Sequence, residues 1–378
     1  MVKKILALLG LSLFAWALAW ADDDDRHARF PRDASFTTLI KTPLAIEGLT
    51  GDDQGNLYTT GRGASPCPVW RISVTNPSLV TVGKVPAPCS PSGITFDAKG
   101  DLFVADNDKV WTFTPDEATP PTATIYATGV PGTNGLAFDR GGNLWTGDGT
   151  TGQGRVWKVP PGGGSGVEVF RVQPMVNTAT AVVAGVTFNG IGRDVRTSPT
   201  GNSQPLVANG IAFNHEGDML IADTARGAIW KVEMNRDGSI RSPVNCDTTF
   251  APDTLCLDNI LVAHPYLEGV DGIALDAAGN IWADPNERNA IVVVTRKGNV
   301  SEVFRNEPNA ANLRNGGPLE TPTSPFLLGH KFCTANSDGN RRDNAPNTAG
   351  EIKPAGPDVG KISCMDQRLR IPGMRLPL

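Results

Sequence analysis

One short phrase occurs five times along this chain: an apolar strand, a D/N-x-x-G turn and a returning strand. The copies are EGLTGDDQGNLYTTG (47–61), SGITFDAKGDLFVAD (92–106), NGLAFDRGGNLWTGD (134–148), NGIAFNHEGDMLIAD (209–223) and DGIALDAAGNIWADP (271–285). Self-similarity at intervals of roughly 40–60 residues marks a radially repeated or stacked architecture. One gap is longer, with 75 residues separating Gly135 from Gly210. Each copy reads as a β-hairpin, because apolar residues alternate along it and the turn glycine supplies the positive φ that hairpin geometry requires. The residue before the first recurring glycine does not repeat: it is Glu47, Ser92, Asn134, Asn209 or Asp271.

Further strands follow most copies. VWRISV (69–74), KVWTFT (109–114), RVWKVP (155–160), AIWKVEM (228–234) and AIVVVTRKG (290–298) have the aromatic and β-branched content of half-buried third strands. Trp70, Trp111, Trp157 and Trp230 recur in them and read as packing residues. Fourth strands are expected at 79–82, 124–127, 167–170 and 301–304, which gives the four strands of a propeller blade. A degenerate sixth unit spans PTSPFLLGHKFCTAN (322–336) and GKISCMD (360–366), and FTTLI (36–40) is the strand expected to complete it and close the circle. The expected fold is therefore all-β, a six-bladed β-propeller of four-stranded antiparallel blades in a single domain over 36–378. Segment 171–206 reads as an insertion or extra strands, and 336–359 as a loop.

At the N-terminus, Lys3 and Lys4 precede an apolar run from Ile5 to Ala21 that ends on Ala19-Trp20-Ala21, a small-x-small cleavage signal. Residues 1–21 read as a secretory signal peptide, and 22–35, which begins with four aspartates, as a flexible acidic segment. The expected location is the periplasm or the extracellular space, with no membrane association after cleavage and a monomeric chain. The formal net charge of −5 and the lack of a Lys/Arg block argue against nucleic acid as a partner. An even count of six cysteines in an exported chain favours disulfides, and the sequence-local pairing Cys67–Cys89, Cys246–Cys256, Cys333–Cys364 is the expectation among the many that six allow. Zinc is the competing use, but no C-x-x-C occurs.

In an antiparallel blade the first strand leaves, and the second returns to, the same face. Glu47, Asn134, Asn209 and Asp271 should therefore gather at one mouth of the channel, with Asp106, Asp148, Asp223, Asp284 and Asn336 at the ends of the second strands beside them. Carboxylate and amide oxygens around one axis suit a hard divalent cation, calcium first. The competing reading takes Asn-Gly and Asp-Gly as turn dipeptides. No G-x-S-x-G occurs, and the mature histidines are His27, His215, His264 and His330, so no serine-hydrolase constellation is present.

The chain resembles the regucalcin/gluconolactonase (senescence-marker-protein-like) family of six-bladed propellers. The resemblance rests on Ile46-Glu47-Gly48, on Asn134, on Asn209-Gly210-Ile211-Ala212-Phe213 with MLIADT (219–224), on Asp271-Gly272-Ile273-Ala274 with GNIWAD (279–284), and on PTSP (322–325). It implies that Glu47, Asn209 and Asp271 bind a divalent metal, calcium by preference with zinc, magnesium or manganese as alternatives. It also implies that Asn134 sits beside the metal, as a ligand or a substrate contact, and that Asp271 is the general base of lactone hydrolysis. His264, seven residues before Asp271, is a candidate proton shuttle by similarity to paraoxonase-type propellers, or else a loop-packing histidine. Two departures point away from an aldonolactone specialist and towards a broader lactone or ester hydrolase. Gly132 stands where sugar-lactone members carry Arg, and Leu49 where Pro is usual. The alternative function is a non-catalytic, calcium-stabilised propeller that binds a ligand or protein.

Overall fold

A computed structural model of the chain describes residues 30–31, 34–173, 180–183, 186–189, 208–307, 317–337 and 359–376. The signal-peptide segment and most of the acidic segment lie outside the described residues, as does most of the 336–359 loop. Six blades, each of four antiparallel strands, surround a central channel, and the short strand Gly164–Ser165 adds in parallel to the outer edge of the second. Blade 1 comprises Leu49–Gly51, Asn56–Thr60, Cys67–Ser73 and Val80–Val85; blade 2 Pro91–Phe96, Leu102–Asp106, Lys109–Phe113 and Thr124–Thr128. Blade 3 comprises Thr133–Phe138, Leu144–Asp148, Arg155–Val159 and Val167–Arg171; blade 4 Ile211–Phe213, Met219–Asp223, Ala228–Val232 and Ile260–Ala263. Blade 5 comprises Val270–Leu275, Ile281–Pro285, Ala290–Val294 and Val300–Arg305. Blade 6 takes Pro322–Leu328, Lys331–Asn336 and Lys361–Met365 from the end of the chain and Phe36–Lys41 from its start. That last strand pairs with Lys361–Met365 and closes the ring as expected. Segment 171–206 contributes a two-stranded hairpin, Thr180–Val183 with Val186–Asn189, rather than a blade.

The recurring hairpin turns are built by their Asp or Asn. Asp52 Oδ1 accepts from the backbone N–H of Gln54 and Asn56, Asp139 Oδ1 from Gly141 and Asn143, and Asp276 Oδ1 from Ala278 and Asn280. The other carboxylate oxygen reaches an aromatic donor on the returning strand: Tyr58, Trp145 or Trp282. These aspartates therefore fix the hairpins on the face opposite the mouth and take no part in chemistry.

Strand alternation sends apolar side chains to both faces of each sheet, and they bury in six clusters, one at each seam between neighbouring blades. Trp145, Phe170, Ile211, Phe213 and Trp230 fill the seam of blades 3 and 4, and Trp282, Ile291, Phe332 and Met365 that of blades 5 and 6. All three local disulfides form, and Cys333–Cys364 joins two strands of the closing blade. Below the mouth the channel is lined by apolar and threonine side chains of all six inner strands, without a titratable group. The C-terminal segment lies across its far end: Leu369 N–H donates to His330 O, Gly373 N–H to Gly329 O and Met374 N–H to Leu275 O.

The seams close on the glycine of each X-Gly pair. A Cβ on Gly48 would lie 2.3 Å from Ser92 O, on Gly93 2.1 Å from Asn134 O, and on Gly135 2.5 Å from Asn209 O. The series continues with Gly210 against Asp271 O at 2.7 Å and Gly272 against Thr323 O at 2.4 Å. The sixth step differs: Thr323 Oγ1 donates to Glu47 O at 2.7 Å. None of these five glycines has positive φ, so the pairs are not turn dipeptides. They sit in the inner strands, where absence of a side chain lets one blade touch the next.

This gives a test that separates two kinds of glycine. Gly93→Ala should cost about 1–3 kcal/mol or more, because it drives a methyl into a backbone carbonyl. Gly100→Ala, at a hairpin turn with φ +87° and open space around it, should cost only about 1 kcal/mol of backbone strain. Urea denaturation of the two variants checks the order.

Candidate functional site

In blades 2, 3, 4 and 5 the X-Gly pair is also where the inner strand carries an extra residue. Between the pairs Val270↔Pro285 and Ile273↔Ala283, the two residues Asp271 and Gly272 face one, Asp284. The same bulge places Ser92-Gly93 against Ala105 and Asn134-Gly135 against Gly147. A bulge re-aims the side chain that it displaces, and Glu47 and Asn134, from blades 1 and 3, meet over the channel mouth: Asn134 Nδ2 donates to Glu47 Oε1 at 3.2 Å.

Glu47 is held on its other side by Arg62, from the turn after the second strand of blade 1. Arg62 Nη1 pairs with Glu47 Oε2, and its Nη2 donates to Ser90 Oγ at 3.1 Å. Sequence reasoning missed Arg62, which lies outside the repeated phrase. Gly132, at the place where an arginine was looked for, cannot carry one without strain. Its φ is +79° and a Cβ there would lie 2.2 Å from Asp148 Oδ1.

On the opposite rim, Asn209 Nδ2 donates to Thr224 Oγ1 at 3.1 Å, and Thr224 Oγ1 donates to Val270 O at 2.7 Å, next to Asp271. Asn286, in the turn after the second strand of blade 5, donates from Nδ2 to Asp271 Oδ2 at 3.1 Å. Asn209, Asp271 and Asn286 thus follow one another along the seam of blades 4 and 5.

The carboxylates at the ends of the second strands do not join this rim, and that expectation is corrected. Asp106 accepts from Ser90 N–H and Trp111 Nε1; Asp148 from Thr151 and Arg155; Asp223 from Arg226 and Trp230. Asp148 and Asp223 tie the end of the second strand to their own blade's third strand and the turn between them, and Asp106 ties it to the third strand and to the segment that enters blade 2. Asn336 likewise donates to Lys361 O and Ser363 Oγ. Asp284 is different because it stands one residue earlier in its repeat, aligned with Ala105, Gly147 and Ala222. A one-residue offset in a strand reverses the face. Thr334 of blade 6 donates to its Oδ2 across the seam, and Asp284 Oδ1 has no hydrogen-bond partner. Burial, with the nearby Asp271 charge, pushes its carboxyl well above the usual carboxylate range.

His264 lies on the loop between blades 4 and 5. Its Nδ1 accepts from Tyr266 N–H at 3.0 Å, so its proton sits on Nε2, and the ring packs edge-on against Tyr266. Burial, helped by Arg288, lowers its pKa and keeps it neutral at physiological pH. No hydrogen bond described here links it to Glu47, Asn134, Asn209 or Asp271. Among the described residues no three His, Cys, Asp or Glu side chains converge as a metal site, so a cation at this mouth depends on amide oxygens as well as carboxylates. Asn209 Oδ1 meets that requirement, being buried and without a donor.

The sequence profile of the SMP-30/gluconolactonase/LRE-like region matches residues 90–319. The chain belongs to that family. No curated protein matches it in sequence. Among solved structures it is similar to the calcium-binding protein regucalcin from Agrobacterium tumefaciens, at 18% identity and TM-score 0.56, over 92% of this chain and 99% of that one. It is also similar to a luciferin-regenerating enzyme, at 14% identity and TM-score 0.57, over 90% and 97% of the two chains. A PQQ-bound aldose sugar dehydrogenase from Streptomyces coelicolor shares the architecture at 14% identity and TM-score 0.54, over 89% and 100%. Likenesses at these identities establish the fold. The family membership rests on the profile, and the three disulfides accord with an oxidising compartment. No helix among the described residues is long and apolar enough to cross a membrane.

Asp284 makes stability depend on pH in a definite direction. A carboxyl whose folded pKa is raised is bound neutral more readily than in the unfolded chain, so its contribution is fully present below the unfolded value and is lost as pH rises towards the folded one. With chelator present, stability should therefore fall as pH rises above about 4. Asp284→Ala, which gives blade 5 the residue found at this place in blades 2 and 4, should remove that component. Urea midpoints measured between pH 4 and 8 for both proteins check it; parallel curves would count against it.

Proposed function

We propose that this protein is an exported, divalent-metal-dependent hydrolase of lactones or related esters acting at the channel mouth. What carries the reading is the rim itself: Glu47, Asn134, Asn209 and Asp271 come from four blades and occupy one repeat position, while the channel below offers only apolar and hydroxyl groups. Glu47, Asn209 and Asp271 would hold the cation through oxygen alone, which favours calcium, with magnesium, manganese or zinc as alternatives. Bound there, the ion would polarise a lactone carbonyl and acidify a water molecule.

The remaining roles belong to the chain. Asp271 is the base: it takes a proton from the attacking water and returns it to the ring oxygen as that oxygen leaves as an alcohol. Asn286 Nδ2, on Asp271 Oδ2, fixes the orientation of the carboxylate for that transfer. Asn134 contacts the substrate and shares with Arg62 the task of holding Glu47. His264 is the candidate shuttle, and to accept a proton it would have to give up the bond that its Nδ1 accepts from Tyr266 N–H. The positive φ at Gly132 and the close approach of Asp148 Oδ1 disfavour the arginine of sugar-lactone specialists there, which points to a broader lactone or ester hydrolase rather than an aldonolactone specialist. The partner is thus a small molecule, and the monomeric chain needs neither nucleic acid nor a membrane for this activity.

The test is a panel of lactones and esters followed by pH-stat titration, with and without chelator. Turnover should require the metal, and Asp271→Asn should lower kcat by about 10²–10⁴-fold while the circular dichroism spectrum is retained. Calcium binding without turnover across the panel would instead identify a non-catalytic, calcium-stabilised binding module.

A further inference from the structure

Both carboxylates of the rim are held by donors of the chain itself. Glu47 Oε2 pairs with Arg62 Nη1 and Glu47 Oε1 accepts from Asn134 Nδ2 at 3.2 Å, while Asp271 Oδ2 accepts from Asn286 Nδ2 at 3.1 Å. Of these three donors only Arg62 carries charge. A guanidinium on a carboxylate supplies what a metal cation would supply there, positive charge on the same oxygens. The charge of Glu47 is thus balanced from within the chain.

Two other arginine–carboxylate pairs stand at the ends of second strands and are built differently. The carboxylates of Asp148 and Asp223 are wholly buried, and the guanidinium carbons of their partners Arg155 and Arg226 lie 4.9 and 5.6 Å from the ring centres of Trp157 and Trp230. Those pairs are fixed parts of their blades. The Glu47–Arg62 pair is more open, with side-chain exposures of 13% and 34%, and Glu47 stands on the varying position. Arg62 is anchored through its backbone, whose N–H donates to Ala45 O at 2.8 Å, and its Nη2 donates to Ser90 Oγ. Its side chain can therefore leave Glu47 for solvent without any change in the backbone.

We infer that Arg62 is an internal counter-ion that competes with a divalent cation for Glu47, and so regulates how tightly the mouth holds that cation. The inference deepens the proposed function and rests on its reading of Glu47 as a cation ligand. A cation at Glu47 either displaces the guanidinium or shares the carboxylate with it. Displacement breaks the ion pair, and sharing sets a divalent charge beside a monovalent one in a part-buried place where salt screens weakly. Either way binding is weaker than at the same mouth without the guanidinium. Asn134 brings no charge to oppose the ion, and a half-turn of its amide replaces the donor Nδ2 by the acceptor Oδ1.

Calcium titration calorimetry on the chelator-treated mature protein tests this with three substitutions at Arg62. Arg62→Gln and Arg62→Met remove the charge by two routes, and both should bind calcium about tenfold or more tightly than the unaltered protein. Arg62→Lys keeps the charge and should bind much as the unaltered protein does. A residue that merely held Glu47 in place for the ion would give the opposite sign, because its loss would loosen the ligand. Equal or weaker binding by both neutral variants would therefore overturn the inference, and loss of binding in Asp271→Asn would in that case leave the proposed function standing. Binding by the neutral variants where the unaltered protein binds none would be competition in its strongest form. Failure of all of these proteins to bind calcium, magnesium, manganese or zinc would remove the inference together with the proposed function.

Discussion

The architecture depends on one contact repeated around the channel, the approach of a glycine in each inner strand to the backbone carbonyl of the next. At five seams no Cβ fits, and at the sixth the Thr323 hydroxyl donates to Glu47 O and draws the last blade onto the first. The contact fixes the distance between neighbouring sheets at their narrow ends, and the six apolar clusters fill the wedge that opens outward from it. It also explains why the preceding residue can vary freely. That residue contributes its backbone carbonyl to the seam whatever its side chain, so Glu, Ser, Asn and Asp can stand there with the same backbone contact and a different side chain at the site, whereas Thr323 also gives its hydroxyl to the seam.

A second consequence is the separation of rigid and chemical groups along each strand. The Asp or Asn at the hairpin turn spends its oxygens on backbone N–H groups and on one aromatic donor. The carboxylate at the mouth end of the second strand spends its oxygens on the third strand and the turn between them. Both are charges in structural use, fully partnered and repeated from blade to blade. What remains for chemistry is the bulged position and the few residues that break the repeat: Arg62, Asp284 and Asn286. Preorganised groups of this kind need no rearrangement to meet a developing charge, and a rim anchored by six closed seams provides the rigidity.

The repeated phrase made the six blades, the closing strand at 36–40 and the identity of the varying position legible, because strand alternation and turn chemistry are local properties of sequence. The disulfides were legible as short-range pairs for the same reason. Less was legible where two residues look alike but lie one step apart. GNIWADP and NLWTGD both end near an aspartate, yet Asp284 aligns with Gly147 and not with Asp148, so it points into the seam while Asp148 bonds to Arg155. Arg62 and Asn286 were illegible in another way: they come from turns outside the repeat, and only the folded ring brings them to Glu47 and Asp271. Alignment of the five copies by register, with the inserted residue counted, would have exposed the displaced carboxylate.

Two buried carboxylates in adjacent blades show what that displacement means. Asp223 is wholly buried and its pKa is raised by burial, but Arg226, Trp230 and a backbone N–H surround it. Those donors and the Arg226 charge oppose the effect of burial on that carboxyl. Asp284 is equally buried and receives one hydroxyl. The chain thus has the means to satisfy a buried carboxylate and uses them one blade earlier, while at Asp284 it leaves an oxygen unanswered beside Asp271. A charge left unpaired in a low-dielectric seam is destabilising by several kcal/mol, so burial there, with the Asp271 charge nearby, favours the protonated carboxyl.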